Sequence, residues 1–184
     1  MPRPIAWCLC GLWLGCTGKD EDALESGDSA TSASVLEGTM LAHDGWVYAL
    51  PEADPFYTHA PEADPCPSVG YKAENGFFEL ETDYCAVASF SQATPVDLPA
   101  GTRLRMVVWN LDLWAPDPGY EALQFLRLGD TEVWSRTTPV PGDESVEEVF
   151  LDLTADLPAG TVAWYHLRNH GVNSWRIGDV ELAP

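Results

Sequence analysis

From Trp46 onward the chain consists of short runs in which apolar and polar residues alternate. Within Arg103–Leu113, for example, Leu104, Met106 and Val108 occupy every second position. A period of two places such residues on one side of a β-strand. No stretch of this region keeps the 3.6-residue period of a helix for more than two turns. The sequence therefore predicts an all-β fold.

Turn residues divide this region into eight or nine strands. The chain contains 15 Gly and 15 Pro, and Asn75-Gly76 is a typical hairpin turn. This number of short strands in about 140 residues predicts a jelly-roll β-sandwich. The predicted strands are Trp46–Leu50, Phe77–Glu81, Tyr84–Phe90, Arg103–Leu113, Glu121–Leu128, Val133–Arg136, Val146–Leu153, Val162–Asn169 and Ser174–Leu182.

One six-residue segment occurs twice. Asp97–Thr102 reads Asp-Leu-Pro-Ala-Gly-Thr, and Asp156–Thr161 repeats it without a change. Pro followed by Gly is typical of turns, because Gly accepts a positive φ. We interpret the repeat as one turn used at two corners of the sandwich. Internal duplication and independent selection of the same turn explain it equally well.

The N-terminus has the features of a secretory signal. Arg3 precedes an apolar run, Ile5–Gly15, which is too short to span a bilayer and suits the apolar region of a signal peptide. The Gly15-Cys16 junction resembles the bacterial lipoprotein box, in which Cys16 would receive the lipid and become the mature N-terminus. An ordinary cleaved signal is the alternative.

An acidic, polar segment follows between Thr17 and Gly38, in which few large apolar residues, such as Val35 and Leu36, interrupt the pattern. Such a composition predicts a flexible, disordered tether. The predicted organisation is a signal peptide at 1–15, the lipidated cysteine with its linker at 16–42, and the sandwich at 43–184. Thr17 rather than Asp follows the cysteine. By resemblance to Gram-negative lipoproteins this implies the outer membrane, with the leaflet open.

The net charge restricts the choice of partners. Nine Lys and Arg oppose 29 Asp and Glu, which gives −20. Nucleic-acid binding needs a basic surface and is excluded. Docking on an anionic membrane surface is disfavoured for the same reason. The predicted partners are a membrane through the lipid anchor, and a polysaccharide or a surface protein.

The five cysteines divide into two groups. Cys8 and Cys10 are removed with the signal, and Cys16 takes the lipid. Cys66 and Cys85 remain in an oxidising compartment, where an even pair predicts a disulfide. Two cysteines cannot supply a four-ligand zinc site.

The C-terminal part carries a family resemblance. Trp175–Leu182 resembles the last strand of galactose-binding-domain-like sandwiches, which include many carbohydrate-binding modules, and Thr161–Gly171 resembles their penultimate strand and hairpin. A lipoprotein with such a sandwich is also similar to predicted lipoproteins of predatory and soil bacteria. The resemblance implies the jelly roll over Trp46–Pro184. It also implies that Asp179 could help to bind a structural calcium ion.

The aromatic residues suggest a ligand surface. Trp109 shares a strand face with Arg105 and lies opposite the apolar row of the same strand. Sugar rings stack on such aromatic faces, with amides and charged groups binding the hydroxyls. The alternative is that each Trp fills the core. The candidate ligand-binding residues are Trp109, Arg105, Trp114, Asn110, Gln124 and Arg168.

Other constellations are weaker. His166 and His170 have helical metal-ligand spacing, but four strand residues span about 13 Å. Asp112, Asp117 and Glu121 surround a loop that could bind calcium. No catalytic motif is present.

The sequence thus predicts a non-catalytic binding module held on the outer membrane, for polysaccharide or glycan, without a cofactor other than calcium. A structural or protein-interaction lipoprotein without a small ligand is a nearly equal alternative, and a hydrolase is third.

Overall fold

The computed structural model describes residues 38–59 and 64–184. The predicted signal peptide, Cys16 and most of the linker lie outside the described residues. Within them, no helix has both the length and the apolar character needed to cross a membrane.

The described chain forms twelve β-strands and two short 3-10 turns, Tyr57–His59 and Ser68–Gly70. The strands are β1 (Thr39–Leu41), β2 (Val47–Tyr48), β3 (Tyr71–Glu74), β4 (Phe77–Glu81), β5 (Val87–Ala93), β6 (Arg103–Asn110), β7 (Tyr120–Leu128), β8 (Thr131–Val140), β9 (Ser145–Asp152), β10 (Val162–Arg168), β11 (Ser174–Gly178) and β12 (Val180–Leu182).

The strands form two antiparallel sheets. In the seven-stranded sheet, called the front sheet, β6 pairs with β9 on one side and with β11 and β12 on the other. Beyond them lie β4 and β3, next to β11, and β1, next to β12. The back sheet has the order β2-β5-β10-β7-β8. The predicted all-β sandwich is confirmed.

Alternation along the strands builds one core between the sheets. Leu104, Met106 and Val108 of β6 are buried, as are Trp175 of β11 and Tyr165 of β10. Their neighbours in sequence point to the outer faces, since successive strand residues alternate sides. The parity of each strand therefore decides which side chains remain available for a ligand.

Two strands were not predicted. The first, β1, begins at Thr39, inside the segment 16–42 that was assigned to the linker. It is too short for a periodic signal, yet Met40 and Leu41 are buried and the strand pairs with β12. The second, β3, is exposed except at Tyr71, which is partly buried.

The predicted strand Tyr84–Phe90 begins only at Val87. Cys85 lies in the preceding turn, where its disulfide to Cys66 confirms the predicted pair. Cys66 in turn donates its backbone N–H to the Tyr48 hydroxyl (2.9 Å). These two contacts fix the end of the proline-rich arm, which is the segment between β2 and β3, to β2 of the back sheet and to the turn before β5.

The repeated segment does not occupy two separate corners, as predicted, because its two copies pair with each other. Leu98 and Leu157 exchange backbone hydrogen bonds of 2.8 and 2.7 Å. Asp97 accepts the N–H of Ala159 in the other copy (2.7 Å), and Asp156 accepts that of Ala100 (2.8 Å). We call this pairing the clasp. It joins the entry to β6 in the front sheet with the entry to β10 in the back sheet.

The proline-rich arm covers part of the outer surface of the back sheet. Phe56 is buried there, edge-on to the rings of Phe125 (4.8 Å) and Trp164 (5.9 Å). The guanidinium of Arg127 lies over Phe56 at 5.2 Å. The outer surface of the front sheet is therefore the better candidate for a ligand.

Candidate functional site

A transverse row of five side chains crosses the outer surface of the front sheet. The register pairs Val146 of β9 with Trp109 of β6, and Trp109 with Arg176 of β11. Arg176 is paired with Glu79 of β4, which is paired with Lys72 of β3. We call these residues the Trp109 row.

The indole of Trp109 is held in one orientation by its neighbours. Its Nε1–H donates to Glu144 Oε1 (2.9 Å), and Glu144 is itself positioned by a bond from its backbone N–H to Asp112 Oδ1 (2.9 Å). The Arg176 guanidinium lies over the indole at 4.4 Å, and Phe77 meets it edge-on at 5.7 Å. Trp109 is half-buried, so part of the ring remains accessible.

Arg176 is held over the indole by a buried carboxylate. Glu79 is 4% exposed and accepts hydrogen bonds from Arg176 Nε (3.0 Å) and from one of its terminal nitrogens (2.8 Å). Lys72 Nζ lies 3.5 Å from the other oxygen of Glu79. Burial alone would raise the pKa of Glu79, but the bonds from Arg176 and the charges of Arg176 and Lys72 hold that pKa below its ordinary value.

Arg105 lies in a neighbouring row of the same surface. Its guanidinium contacts Glu181 at 2.5 Å and Glu148 at 3.3 Å. These bonds, chiefly the one to Glu181, raise the pKa of Arg105. The neighbouring Gly178 adds no side chain, which leaves the surface low beside Phe77.

Two depressions follow from this arrangement. One, of about 260 Å³, is lined by Phe77, Glu79, Trp109 and Arg176, among others. The second, of about 180 Å³, is lined by Phe77, Arg105 and Gly178, among others. They share Phe77, so they are adjacent. The surface offers aromatic rings together with hydrogen-bond donors and acceptors, which are the groups used to bind sugars.

Two of the predicted ligand residues are not on this surface. Asn110 and Gln124 are each 1% exposed. Asn110 Nδ2 donates to the carbonyl oxygens of Leu111 and Asp143, and Gln124 Nε2 donates to the Tyr165 hydroxyl (2.7 Å). Their amides face inward and serve the packing between the sheets, so the prediction that they contact ligand is wrong.

Two other predicted residues lie elsewhere on the molecule. Arg168 is on β10 of the back sheet. Trp114 is 57% exposed on the loop after β6, with its backbone N–H bonded to Asn173 Oδ1 (2.5 Å). Of the six candidates, only Trp109 and Arg105 therefore share the front surface.

The residues around Asp179 do not fit a calcium site. Asp179 Oδ1 accepts the backbone N–H of His43 (2.6 Å) and lies 2.7 Å from its Nδ1. Calcium requires a shell of oxygen ligands, and the described residues contain no group of three or more His, Cys, Asp or Glu that could hold a metal. Asp179 instead holds the segment that follows β1 through its bonds to His43.

The other acidic and histidine candidates are also dispersed. Asp112 is engaged with the backbone of Glu144. His166 is buried and bonded to Ser89 Oγ (2.8 Å), whereas His170 is exposed and stacked on Tyr120.

Three contributors to the surface were missed by the sequence analysis. Phe77 and Glu79 alternate with the buried Phe78 and Leu80, so their outward direction was visible in the sequence. Arg176 likewise alternates with buried neighbours. What one sequence could not show is that β4 and β11 lie beside β6, which brings these side chains to Trp109.

Comparisons with known proteins give structural similarities alone, since the chain matches no protein-family model and no curated protein. A solved structure described as CBM4 is 13% identical, covers 78% of this chain and 88% of that chain, and has a TM-score of 0.44. The K1 cleaved adhesin domain of Lys-gingipain from Porphyromonas gingivalis W83 is 17% identical, with coverages of 79% and 98% and a TM-score of 0.42. A family 29 carbohydrate-binding module complexed with mannohexaose is 12% identical, with coverages of 80% and 90% and a TM-score of 0.41. At such scores, the fold assignment rests on the strand topology itself.

Proposed function

We propose that the chain is a non-catalytic binding module that recognises a polysaccharide on the outer surface of its front sheet. The observation that carries the proposal is the fixed, half-buried indole of Trp109 beside Arg176, Glu79 and Phe77. An aromatic ring held in place in advance stacks on a sugar without first losing conformational freedom. The charged groups around it supply donors and acceptors for hydroxyl groups.

The two adjacent depressions favour a chain of sugars over a single one. A stacking or cation–π contact at an exposed ring is worth about 1 kcal/mol. Binding of one sugar unit is therefore weak, and a polymer that engages both depressions, or several molecules at once, binds more tightly.

The test is affinity electrophoresis of the full-length protein, solubilised in mild detergent, in gels that contain soluble polysaccharides. Trp109→Ala should abolish retardation while the melting temperature changes little. Trp134→Ala is the matched control, since Trp134 is also half-buried but lies on the back sheet. Absence of retardation of the wild type across a broad polysaccharide panel would remove the proposal.

We further propose that the module is anchored in the outer membrane through lipid on Cys16. The support is the Gly15-Cys16 junction and the acidic segment after it. Metabolic labelling with an alkyne fatty acid should mark the wild type and not Cys16→Ala. Equal labelling of the two proteins would rule out this anchor.

A protein-interaction role is a second candidate, favoured by the end of the sandwich opposite Gly38. Trp114 and Val172 are 57% and 55% exposed there, on loops held together by Asn173. If this end binds a protein, a photo-crosslinking residue at position 172 should yield one discrete adduct in cells. The same probe at position 130, at the other end of the sandwich, should not.

A further inference from the structure

We infer that the polysaccharide recognised at the Trp109 row carries free amino groups, so that the ligand is a cationic amino-sugar polymer. This inference rests on the proposed function and names its ligand class. It follows from how the charges of the front surface are partnered.

Every cation of this surface already has a carboxylate partner. Lys72 contacts Glu74 (2.6 Å) as well as Glu79. The remaining pairs are Arg176 with Glu79, Arg105 with Glu148 and Glu181, and Arg103 with Asp152. The charge of each of these cations is already balanced by a carboxylate, so a uronate or sulfate group that approaches one of them is repelled by the carboxylate beside it. The surface is therefore a poor receptor for an anionic polysaccharide.

Two carboxylates beside the Trp109 row have no cationic partner among the described residues. Glu144 is exposed and accepts only the indole N–H of Trp109 in the described contacts. Glu81 accepts a hydrogen bond from Ser174 Oγ (2.7 Å). Carboxylates have several lone pairs, so both retain capacity for a further donor. An ammonium group is the donor that makes the strongest hydrogen bond to a carboxylate.

Glu144 is also placed correctly for such a contact. Its carboxylate is bonded to the edge of the indole, so a sugar that stacks on Trp109 brings its ring substituents near Glu144. An amino substituent could then form a charge-assisted hydrogen bond while the sugar ring covers the indole.

The net charge of the whole molecule also favours a cationic ligand. A chain of net charge −20 attracts polycations and repels polyanions over distances beyond direct contact. This attraction is not specific by itself, so a test must separate it from binding at Trp109.

The test compares hexamers of glucosamine, N-acetylglucosamine and galacturonic acid by isothermal titration calorimetry at pH 5.5, using the full-length protein in mild detergent. The glucosamine hexamer should bind about tenfold more tightly than the N-acetylated one. Its affinity should fall as salt is added, and the galacturonic acid hexamer should bind least.

Variants then locate the effect. Glu144→Gln keeps an oxygen for the indole N–H but removes the charge, and should weaken binding of the glucosamine hexamer about fivefold more than binding of the N-acetylated hexamer. Glu121→Gln removes an exposed charge from the back sheet and should change neither.

An equal loss in Glu144→Gln and Glu121→Gln would show attraction by net charge alone and overturn the inference. Equal or tighter binding of the N-acetylated or anionic hexamer would also overturn it, while the proposed polysaccharide function would stand. Failure of every hexamer and every polysaccharide would remove both.

Discussion

At the scale of single residues, the front surface depends on a series of side chains that hold one another in place. Glu79 fixes Arg176, and Arg176 lies over Trp109. Glu144 holds the edge of the Trp109 ring by accepting the indole N–H. The orientation of the ring is thus set by the buried Glu79, the half-buried Arg176 and the exposed Glu144.

Replacing Glu79 should reveal this dependence through pH. The pKa of Glu79 is lowered in the folded state, so the carboxylate stabilises the fold above its ordinary pKa, and that stability is lost as the pH falls through the lowered folded pKa. Glu79→Gln should therefore lower the free energy of unfolding by about 2 kcal/mol at pH 7. The difference from the wild type should shrink as the pH falls below about 4.5.

Urea unfolding at pH 7 and at pH 3 measures this difference. Glu74→Gln is the control, because Glu74 forms an exposed pair with Lys72 and such pairs contribute about 0.5 kcal/mol. A constant difference between wild type and Glu79→Gln across the pH range would contradict the assignment.

The success of the sequence analysis at this scale followed from strand parity. Trp109 was correctly placed on the outer face, since it lies out of phase with Leu104, Met106 and Val108. Gln124 lies two residues after the buried Ala122 on the same strand, so the two side chains point to the same side of the sheet. Its inward direction was therefore readable, and the error came from treating an amide as a surface group.

At the scale of elements, the clasp and the disulfide hold segments that strand pairing alone would leave loose. The clasp makes reciprocal bonds between its two copies, Asp97 to Ala159 and Asp156 to Ala100. The disulfide closes the arm against the turn before β5. Each ties together parts of the chain that enter different sheets.

The clasp predicts coupling between two distant positions in the sequence. Asp97→Ala and Asp156→Ala should each lower the free energy of unfolding by about 1 kcal/mol, because each removes the acceptor of one backbone N–H. The double mutant should lose less than the sum, since the first change already loosens the paired turn. The measurement is a double-mutant cycle by urea unfolding, with Asp130→Ala as a control outside the clasp. Strict additivity would show that the two copies act independently.

Loss of the disulfide should have a larger effect. Cys66 and Cys85 are 19 residues apart, and opening a loop of this size destabilises by about 3 kcal/mol in the chain-entropy model. Cys66→Ser with Cys85→Ser should lower the urea midpoint accordingly. Treating the wild type with a reductant should reproduce the shift, whereas unchanged stability after complete reduction would contradict it.

Alternation and turn residues in the sequence predicted where most strands lie, but not which strands or turns pair with each other. Phe77–Glu81 has the predicted bounds, because alternation and the Asn75-Gly76 turn agree there. The pairing of the repeated segments was missed, since the turn residues specify local backbone geometry and not the partner of that turn. Strand order in a sandwich depends on contacts between residues that are far apart in sequence.

At the scale of the whole molecule, the sandwich has two distinct ends. The described chain begins at Gly38, whose carbonyl accepts the N–H of Leu182 (3.1 Å), close to the C-terminus. Trp114 and Val172 lie at the opposite end. The Trp109 row crosses the sheet nearer to that far end, since Trp109 is the penultimate residue of β6.

The integration of β1 into the sandwich can be measured. Leu41 is buried, so Leu41→Ala should lower the free energy of unfolding by about 3 kcal/mol. Thr39→Ala, at the exposed start of the same strand, should change it by less than about 0.5 kcal/mol. A negligible effect of Leu41→Ala on the free energy of unfolding would show that this segment belongs to the linker and not to the sandwich.

The position of β1 determines how the molecule bears tension. A pull on the chain from the N-terminal side draws β1 along its own axis against β12. The bonds that oppose this pull are the pairing of β1 with β12, the bond from the Ala42 N–H to Gln92, and the bond from the His43 N–H to Asp179. If the module is anchored and binds a polymer as proposed, the two attachments pull on the sandwich at different places, and the three residues of β1 carry the load from the N-terminal one.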